Sequence, residues 1–181
     1  MINQNSYDKQ LNSWIDNEKI AANLLNLIGQ LMYDKGIEIV LFRQNILDVG
    51  VTELMRLVSY AENVVERKIK LDTALKLTEE ITSMELPPSK LDLGLLTAEF
   101  LEENTNDHKI FLKNKLQNII STEINFSPRD VVLFGFGRIG RLAARELIRQ
   151  AGKGQQMRLK AIVVRNISDE QIEKRANLLK N

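Results

Sequence analysis

One stretch of the sequence decides its fold: Val131-Val132-Leu133-Phe134-Gly135-Phe136-Gly137-Arg138-Ile139-Gly140. The first four residues are β-branched, aliphatic or aromatic, a run typical of a strand that is buried on both faces. A glycine-rich loop follows at once, and apolar residues then recur at helical spacing, namely Ile139, Leu142, Ala143, Leu147 and Ile148. Gly152 and Gly154 are stop signals for this helix. The order is therefore strand, glycine loop, helix.

A second apolar run, Leu159 to Val164, predicts a strand that follows this helix. Ser168 can cap a last helix, with Gln171 at the capping-box position. Two parallel strands joined by a helix need a right-handed crossover, and that unit opens a doubly wound sheet. The predicted class is α/β, with residues 127–181 forming the first βαβ unit of a Rossmann domain. We expect this unit to be truncated rather than a noncatalytic stub, because two strands cannot bury both faces of a parallel sheet.

The three glycines of the loop match the pattern G-x-G-x-x-G between a strand and a helix. The first glycine, Gly135, allows a tight turn, Gly137 lets a pyrophosphate approach the backbone, and Gly140 lets helix and strand pack closely. The first N–H groups of the helix lack partners and carry partial positive charge, so the amides of Arg138 and Ile139 are the expected phosphate donors. The alternative is that the glycines only shape a tight turn.

The residues at the end of the second predicted strand do not decide between NAD and NADP. Dinucleotide enzymes usually carry an acid there to bind the adenosine ribose, whereas this chain has Arg165-Asn166-Ile167. Asp169 and Glu170 are better explained as first-turn residues of a helix. Arg165 either contacts a 2′-phosphate or is a solvated charge. The cofactor is therefore NAD or NADP.

Residues 1–126 are predicted to form a separate region of five or six helices without a strand. A long amphipathic helix runs from Ser13 and ends near Gly36. Residues 37–47 fit both a buried strand and a helix, and helix is favoured. Four further helix signals are a Thr52 cap, an Asp72 cap, a Ser89–Asp92 capping box after two prolines, and a helix from Lys109 to about Ile120.

Composition excludes several functions. The net charge is +1, and the aromatic residues have no basic patch beside them, so a nucleic-acid partner is not expected. No signal peptide and no run of ~18 apolar residues occurs, so the cytoplasm is expected and a membrane is not. The chain has no cysteine and one histidine, His108, which is interpreted as a cap or surface residue; no metal site is predicted.

The continuous string from Gly135 to Leu142 resembles the cofactor loop of glyceraldehyde-3-phosphate dehydrogenases, and the resemblance runs from Val131 to Asn181. The helical leader resembles the extension of a longer bacterial subgroup, including residues 13–19 and 42–43. The resemblance implies that NAD or NADP is bound by a set of loop and strand-end residues: Gly135, Phe136, Gly137, Arg138, Ile139, Gly140, Arg165 and Asn166.

The resemblance also implies an activity, the oxidation and phosphorylation of a small phosphorylated aldehyde in glycolysis or gluconeogenesis by a homotetramer. In that family a cysteine thiolate attacks the aldehyde and a histidine assists as base. Because this chain lacks the cysteine, and His108 lies far upstream of the family's base, it is expected to contain no catalytic residue and to be inactive alone. The alternatives are a noncatalytic helical interaction module with a vestigial nucleotide-binding stub, or the start of another Rossmann dehydrogenase.

Overall fold

The computed structural model of the protein describes residues 4–103, 105–121, 127–151, 157–165 and 168–180. The chain divides into two compact units, Met1–Glu123 (unit 1) and Ile124–Asn181 (unit 2). Across the described residues the fold is mixed α/β, with eight α-helices, a three-stranded mixed sheet in unit 1 and a two-stranded parallel sheet in unit 2.

Unit 1 packs its helices and its small sheet around one hydrophobic core. Its elements are α1 (Gln4–Gln30), β1 (Glu38–Leu41), β2 (Gln44–Asn45), α2 (Val51–Val65), α3 (Leu71–Ser83), β3 (Lys90–Asp92), α4 (Leu93–Glu102), α5 (His108–Lys115) and α6 (Gln117–Ile120).

The long first helix ends where the sequence predicts. One π-helical turn, Leu31–Lys35, follows α1, and Gly36 closes it in the left-handed conformation with φ of 69°. The N–H of Gly36 donates to the Met32 carbonyl at 3.0 Å, which satisfies one of the last carbonyls of the helix. The start differs, because α1 begins at Gln4 and not at Ser13.

The prediction of an all-helical region before Phe126 is wrong, and so is the helix favoured for residues 37–47. β1 pairs with β2 in antiparallel and with β3 in parallel orientation, Ile39 lying opposite Leu91. Ile39 is 1% exposed, so the strand is buried. Local periodicity fitted either structure here, and the pairing partner that decides between them lies about 50 residues along the chain.

The turn between β1 and β2 is formed by two residues with positive φ, Phe42 at 45° and Arg43 at 69°. Such turns match the twist of a hairpin but normally use glycine, asparagine or aspartate. Asp92 holds this turn, because its carboxylate accepts the N–H groups of Phe42 at 2.8 Å and Arg43 at 3.0 Å.

Three predicted helix caps are corrected by the structure. Gly50 caps α2 in place of Thr52, and α3 begins at Leu71, one residue before Asp72. The Ser89–Asp92 capping box is absent, because residues 90–92 form β3. Asp92 is itself the N-cap of α4 and accepts the N–H of Leu95 at 3.2 Å.

The single helix predicted from Lys109 to Ile120 is interrupted. Asp107 caps α5 by accepting the N–H of Ile110 at 2.9 Å. Leu116 then leaves the helical conformation, with φ of −99° and ψ of 8°, and separates α5 from α6.

Unit 2 contains β4 (Arg129–Phe134), α7 (Arg138–Arg149), β5 (Met157–Val163) and α8 (Asp169–Lys180). The two strands are parallel, with Leu133 opposite Ile162 and Phe134 opposite Val163. The predicted order of strand, helix, strand and helix is confirmed. Gly152 and Gly154, predicted to stop the first of these helices, lie outside the described residues.

The first strand is typical in sequence of one buried on both faces, but in the described part of unit 2 one face of it is exposed, as expected for a sheet of only two strands. Val132 is 57% exposed and Phe134 is 71% exposed, whereas Val131 and Leu133 between them are half-buried. Side chains alternate across a strand, so one face of the sheet is covered and the other faces solvent.

Candidate functional site

The glycine loop begins with a turn that requires its first glycine. Gly135 has φ of 101°, a conformation that residues with a Cβ rarely adopt. Its N–H donates to the carbonyl of Val163 at 2.7 Å, which ties the loop to the end of β5. The tight turn predicted for this glycine is present.

The third glycine allows a close backbone approach. A Cβ at Gly140 would overlap the carbonyl oxygen of Gly135 and lie 3.2 Å from its carbonyl carbon. Both atoms belong to the backbone, so neither can rotate away. Gly140 thus lets the first turn of α7 pack against the loop, as the sequence pattern predicts.

The second glycine has no such internal constraint. Gly137 is the N-cap of α7, with extended φ of −79° and ψ of −160°, and a Cβ built there would meet nothing within 4 Å. Because a glycine has no capping side chain, only the backbone of Gly137 contacts the helix start, where its carbonyl accepts the N–H of Arg141 at 3.0 Å. The N–H groups of Arg138, Ile139 and Gly140 come before Arg141 in the helix, so no carbonyl one turn earlier can accept from them.

The side chains of Phe136 and Ile139 differ in their exposure to solvent. Phe136 is 8% exposed and is one of the residues that line an apolar cavity of about 200 Å³ beside α8. Ile139 is 81% exposed on the first turn of α7. Phe136 therefore helps to pack the loop, and Ile139 stands at its open surface.

The arginines of α7 separate into two groups. Arg138, on the first turn, is exposed, and Arg141 is half-buried beside it. Further along, Arg145 donates to the carbonyl of Leu178 at 2.8 Å, and Arg149 forms an ion pair with Glu146 at 2.8 Å. The hydrogen bond from Arg149 lowers the pKa of Glu146. The later arginines thus have structural partners, and the first-turn arginines lie next to the loop.

The residues that follow β5, Arg165 and Asn166, were predicted to lie near the adenosine ribose, and we call this place the ribose corner. In the structure Arg165 lies close to Phe134, which the sequence did not indicate. The guanidinium carbon of Arg165 lies 5.6 Å from the ring centroid of Phe134, which is a cation–π contact. The register of β4 and β5 could have suggested the pairing, because both residues stand where the strands end. Asn166, the other predicted corner residue, lies outside the described residues.

The one histidine packs within unit 1. The ring of His108 stacks on Phe100 with centroids 4.4 Å apart, and Asp107, not His108, is the cap of α5. Among the described residues, no group of three or more histidine, cysteine or acidic side chains could hold a metal ion. Within the same residues, no helix is both long enough and apolar enough to cross a bilayer.

No family model matches the sequence. Over 163 residues the chain is 31% identical to a protein of Pseudomonas aeruginosa (strain UCBPP-PA14) that is named glyceraldehyde-3-phosphate dehydrogenase-like protein. The aligned region covers 87% of this chain and 35% of the relative, so the chain spans about a third of the length of the curated relative that it matches.

The similarity is not confined to the glycine loop. An alignment that covers 87% of the chain must include residues of both units, since unit 1 alone has 123 of the 181 residues. The chain is thus related in sequence to a glyceraldehyde-3-phosphate dehydrogenase-like protein through its helical region as well as through unit 2.

Proposed function

We propose that unit 2 binds the phosphate bridge of a nicotinamide dinucleotide at Gly135–Gly140. The loop belongs to the beginning of a Rossmann domain, in which a diphosphate sits at the N-terminus of the helix that follows the first strand. The Pseudomonas relative supports this assignment at the level of protein family.

The open helix start at Gly137, which directly follows the end of β4 and the tight turn at Gly135, is the observation that carries the proposal. A tight turn explains Gly135 through its φ of 101°, and close packing explains Gly140 through the overlap of its Cβ with the backbone. Neither reason applies to Gly137, which has ordinary extended dihedral angles and open space where a Cβ would stand. A ligand that approaches the backbone at this point would fill that space, and the residues present therefore fit a phosphate group.

Each loop residue has a separate part in this binding. The amides of Arg138 and Ile139 point from the helix start and donate to the phosphate oxygens, and the exposed Arg138 adds positive charge. Phe136 is buried, so its side chain supports the loop and only its backbone faces the ligand. The cofactor, when bound, supplies a nicotinamide that accepts a hydride.

For the whole protein we propose a phosphorylating aldehyde dehydrogenase that uses NAD or NADP, with a small phosphorylated aldehyde as substrate and several identical subunits. The residues of this chain supply cofactor binding only, because it has no cysteine to serve as nucleophile and His108 stacks within unit 1. We expect no dehydrogenase activity from the 181-residue chain alone.

An NMR titration of the isotope-labelled chain with NAD⁺ and NADP⁺ tests the binding site. We expect affinities on the order of millimolar, because one face of the sheet is bare and a complete crevice is not formed by the described residues. The amide signals of Arg138 and Ile139 should shift most. Gly137→Leu should abolish these shifts, since its side chain fills the phosphate position.

Gly50→Leu is the matched control. Gly50 is also a helix N-cap with extended dihedral angles, and a Cβ there also meets nothing within 4 Å. We expect this variant to bind like the wild type. Equal binding by Gly137→Leu and wild type, or shifts confined to other residues, would contradict the proposed site.

A second candidate function, subunit association through the helical region, is favoured by a stripe on α1. Tyr7 is 57% exposed, Leu11 40% and Trp14 50%, and their spacing places them on one face of the helix. Large exposed apolar side chains in a row suit contact with a second copy of the chain.

Sedimentation velocity of the full chain tests this association. We expect the wild type to self-associate at about 100 μM and the double variant Leu11→Gln/Trp14→Gln to be monomeric. Tyr60→Gln, which removes another aromatic ring that is 53% exposed, serves as the control and should leave the association unchanged. A monomeric wild type at this concentration would rule the candidate out.

A further inference from the structure

The end of the two-stranded sheet places a cation beside the glycine loop. Phe134 and Val163 are opposite one another at the last register position of the parallel strands. Gly135 follows Phe134 directly, and its N–H donates to the carbonyl of Val163 at 2.7 Å. Arg165 comes two residues after Val163, so it lies at the same edge of the sheet as the loop.

The aromatic ring at this edge restrains the arginine side chain. The guanidinium carbon of Arg165 lies 5.6 Å from the centroid of Phe134, whose ring is 71% exposed. An aromatic ring attracts a guanidinium without neutralising it, in contrast to a carboxylate. Arg165 is exposed, and its donors therefore stay able to bind an anion.

The acidic residue of β4 and β5, Asp130, lies far from Arg165 along the strands and pairs with other cations. Asp130, near the start of β4, accepts from Arg158 at 2.9 Å and lies 3.9 Å from Lys160. Among the described residues that follow β5 and precede α8, none is acidic. The first acids after Arg165 are Asp169 and Glu170, in the first turn of α8.

These observations bear on the adenosine ribose of the dinucleotide. A free 2′-hydroxyl is bound by an acceptor carboxylate at the end of the second strand, whereas a 2′-phosphate needs a cation there. The first turn of α7, with Arg138 and the positive end of the helix dipole, adds positive potential on the loop side. A ligand with an additional phosphate is therefore favoured at this corner over one with a hydroxyl.

We infer that the adenosine nucleotide bound by unit 2 carries a 2′-phosphate, as in NADP, and that Arg165, positioned on the Phe134 ring, binds this phosphate. The inference rests on the proposed function, because it takes the glycine loop as the site of the diphosphate. Arg165 is the specificity residue, and Phe134 is a positioning residue.

The test compares NADP⁺ with NAD⁺, and 2′-phospho-ADP-ribose with ADP-ribose, by NMR titration of the full chain. We expect the 2′-phosphorylated ligand of each pair to bind about tenfold or more tightly, which is typical of one charge-assisted phosphate contact. Arg165→Ala should bring both ligands of a pair to the same affinity, and Arg165→Lys should keep part of the preference.

Lys160→Ala is the matched control, because it removes one positive charge from the middle of β5, away from the strand end that carries Arg165. It should keep the preference. Phe134→Leu leaves the charge of Arg165 in place, so the ratio of the two affinities should fall while the affinity for NAD⁺ stays constant. An unchanged ratio in Phe134→Leu would overturn the positioning role.

The outcomes separate this inference from the function on which it rests. Equal binding of NAD⁺ and NADP⁺ by the wild type, with both lost in Gly137→Leu, overturns the role of Arg165 and leaves the loop assignment intact. A preference that survives in Arg165→Ala also overturns it. No shift with any of the four ligands at about 10 mM overturns both.

Discussion

The glycine loop gives the sharpest prediction, because its three glycines are needed for different reasons. At Gly140 a Cβ would overlap the backbone of Gly135, so alanine there forces α7 away from the loop. Overpacking of this kind costs about 1–3 kcal/mol. The upper part of this range applies, since both neighbouring atoms belong to the backbone and cannot rotate away.

Alanine at Gly135 is opposed by backbone strain, and alanine at Gly137 is opposed by neither strain nor overlap. In Gly135→Ala the alanine must adopt the φ of 101° that the glycine has, and this strain costs on the order of 1–3 kcal/mol. Gly137→Ala gains about 0.4–1 kcal/mol from a less flexible unfolded chain. It loses a similar amount because alanine is a poorer N-cap than glycine. Its net effect on the free energy of unfolding should therefore be close to zero.

Native-state hydrogen exchange followed by mass spectrometry measures these differences separately in the two units. Because ~1.4 kcal/mol corresponds to a factor of ten, Gly140→Ala should lower protection in β4, α7 and β5 by roughly 100-fold, and Gly137→Ala should lower it by less than about threefold. Peptides of unit 1 are the internal reference and should not change. Wild-type protection in Gly140→Ala, or equal losses in both variants, would refute the packing argument.

Three further predictions concern unit 1, each measured by urea unfolding. Asp92→Ala removes the acceptor of two turn amides and of a helix cap, and should lower the free energy of unfolding by about 2–3 kcal/mol. Lys35→Met removes the cation that binds two carbonyls at the end of α3 and should cost about 1–2 kcal/mol. Hydrogen bonds to Glu103 and Glu99 raise the pKa of Lys115 to about 12, so the stability lost in Lys115→Met should be constant from neutral pH to pH 10.5 and shrink as the pH rises toward 12.

The predictions for Asp92 and Lys35 have control variants, and the prediction for Lys115 is checked by its pH dependence. Asp92→Asn keeps an acceptor for the helix cap and should lose less than the alanine variant. Lys76→Met removes an exposed lysine from α3 that pairs only with Asp72 among the described contacts, and it should change stability by less than about 1 kcal/mol. A difference between Lys115→Met and wild type that grows above pH 10.5 would contradict the assigned ion pairs, since deprotonation must weaken them.

The sequence predicted well where a local rule decides the structure. Gly36 ends the first helix because a left-handed residue closes the last turn, and this requirement can be recognised without any distant contact. The pattern of Gly135 and Gly140 predicted a tight turn and a close approach, and the structure shows both. Asp169 and Glu170 stand in the first turn of α8, as their charge relative to the helix dipole predicts.

The sequence failed where a distant partner decides. Residues 38–41 are a strand because β3 pairs with them from about 50 residues away, and apolar periodicity cannot show that partner. Asp92 was predicted to belong to a capping box, yet it also binds the turn at Phe42 and Arg43, which only the tertiary structure brings near. The same limit hid the contact of Arg165 with Phe134.

By itself the sequence determined the glycine loop, its position between a strand and a helix, and the lack of a cysteine nucleophile, because each depends on residue type and spacing within a short segment. Only the tertiary structure decided that Gly140 alone of the three loop glycines lies close to other backbone atoms, whereas a Cβ at Gly137 would meet open space, since this depends on atoms that the fold brings around each position. It likewise decided that one face of β4 is exposed, because burial is a property of the neighbours that pack on a strand and not of the strand itself.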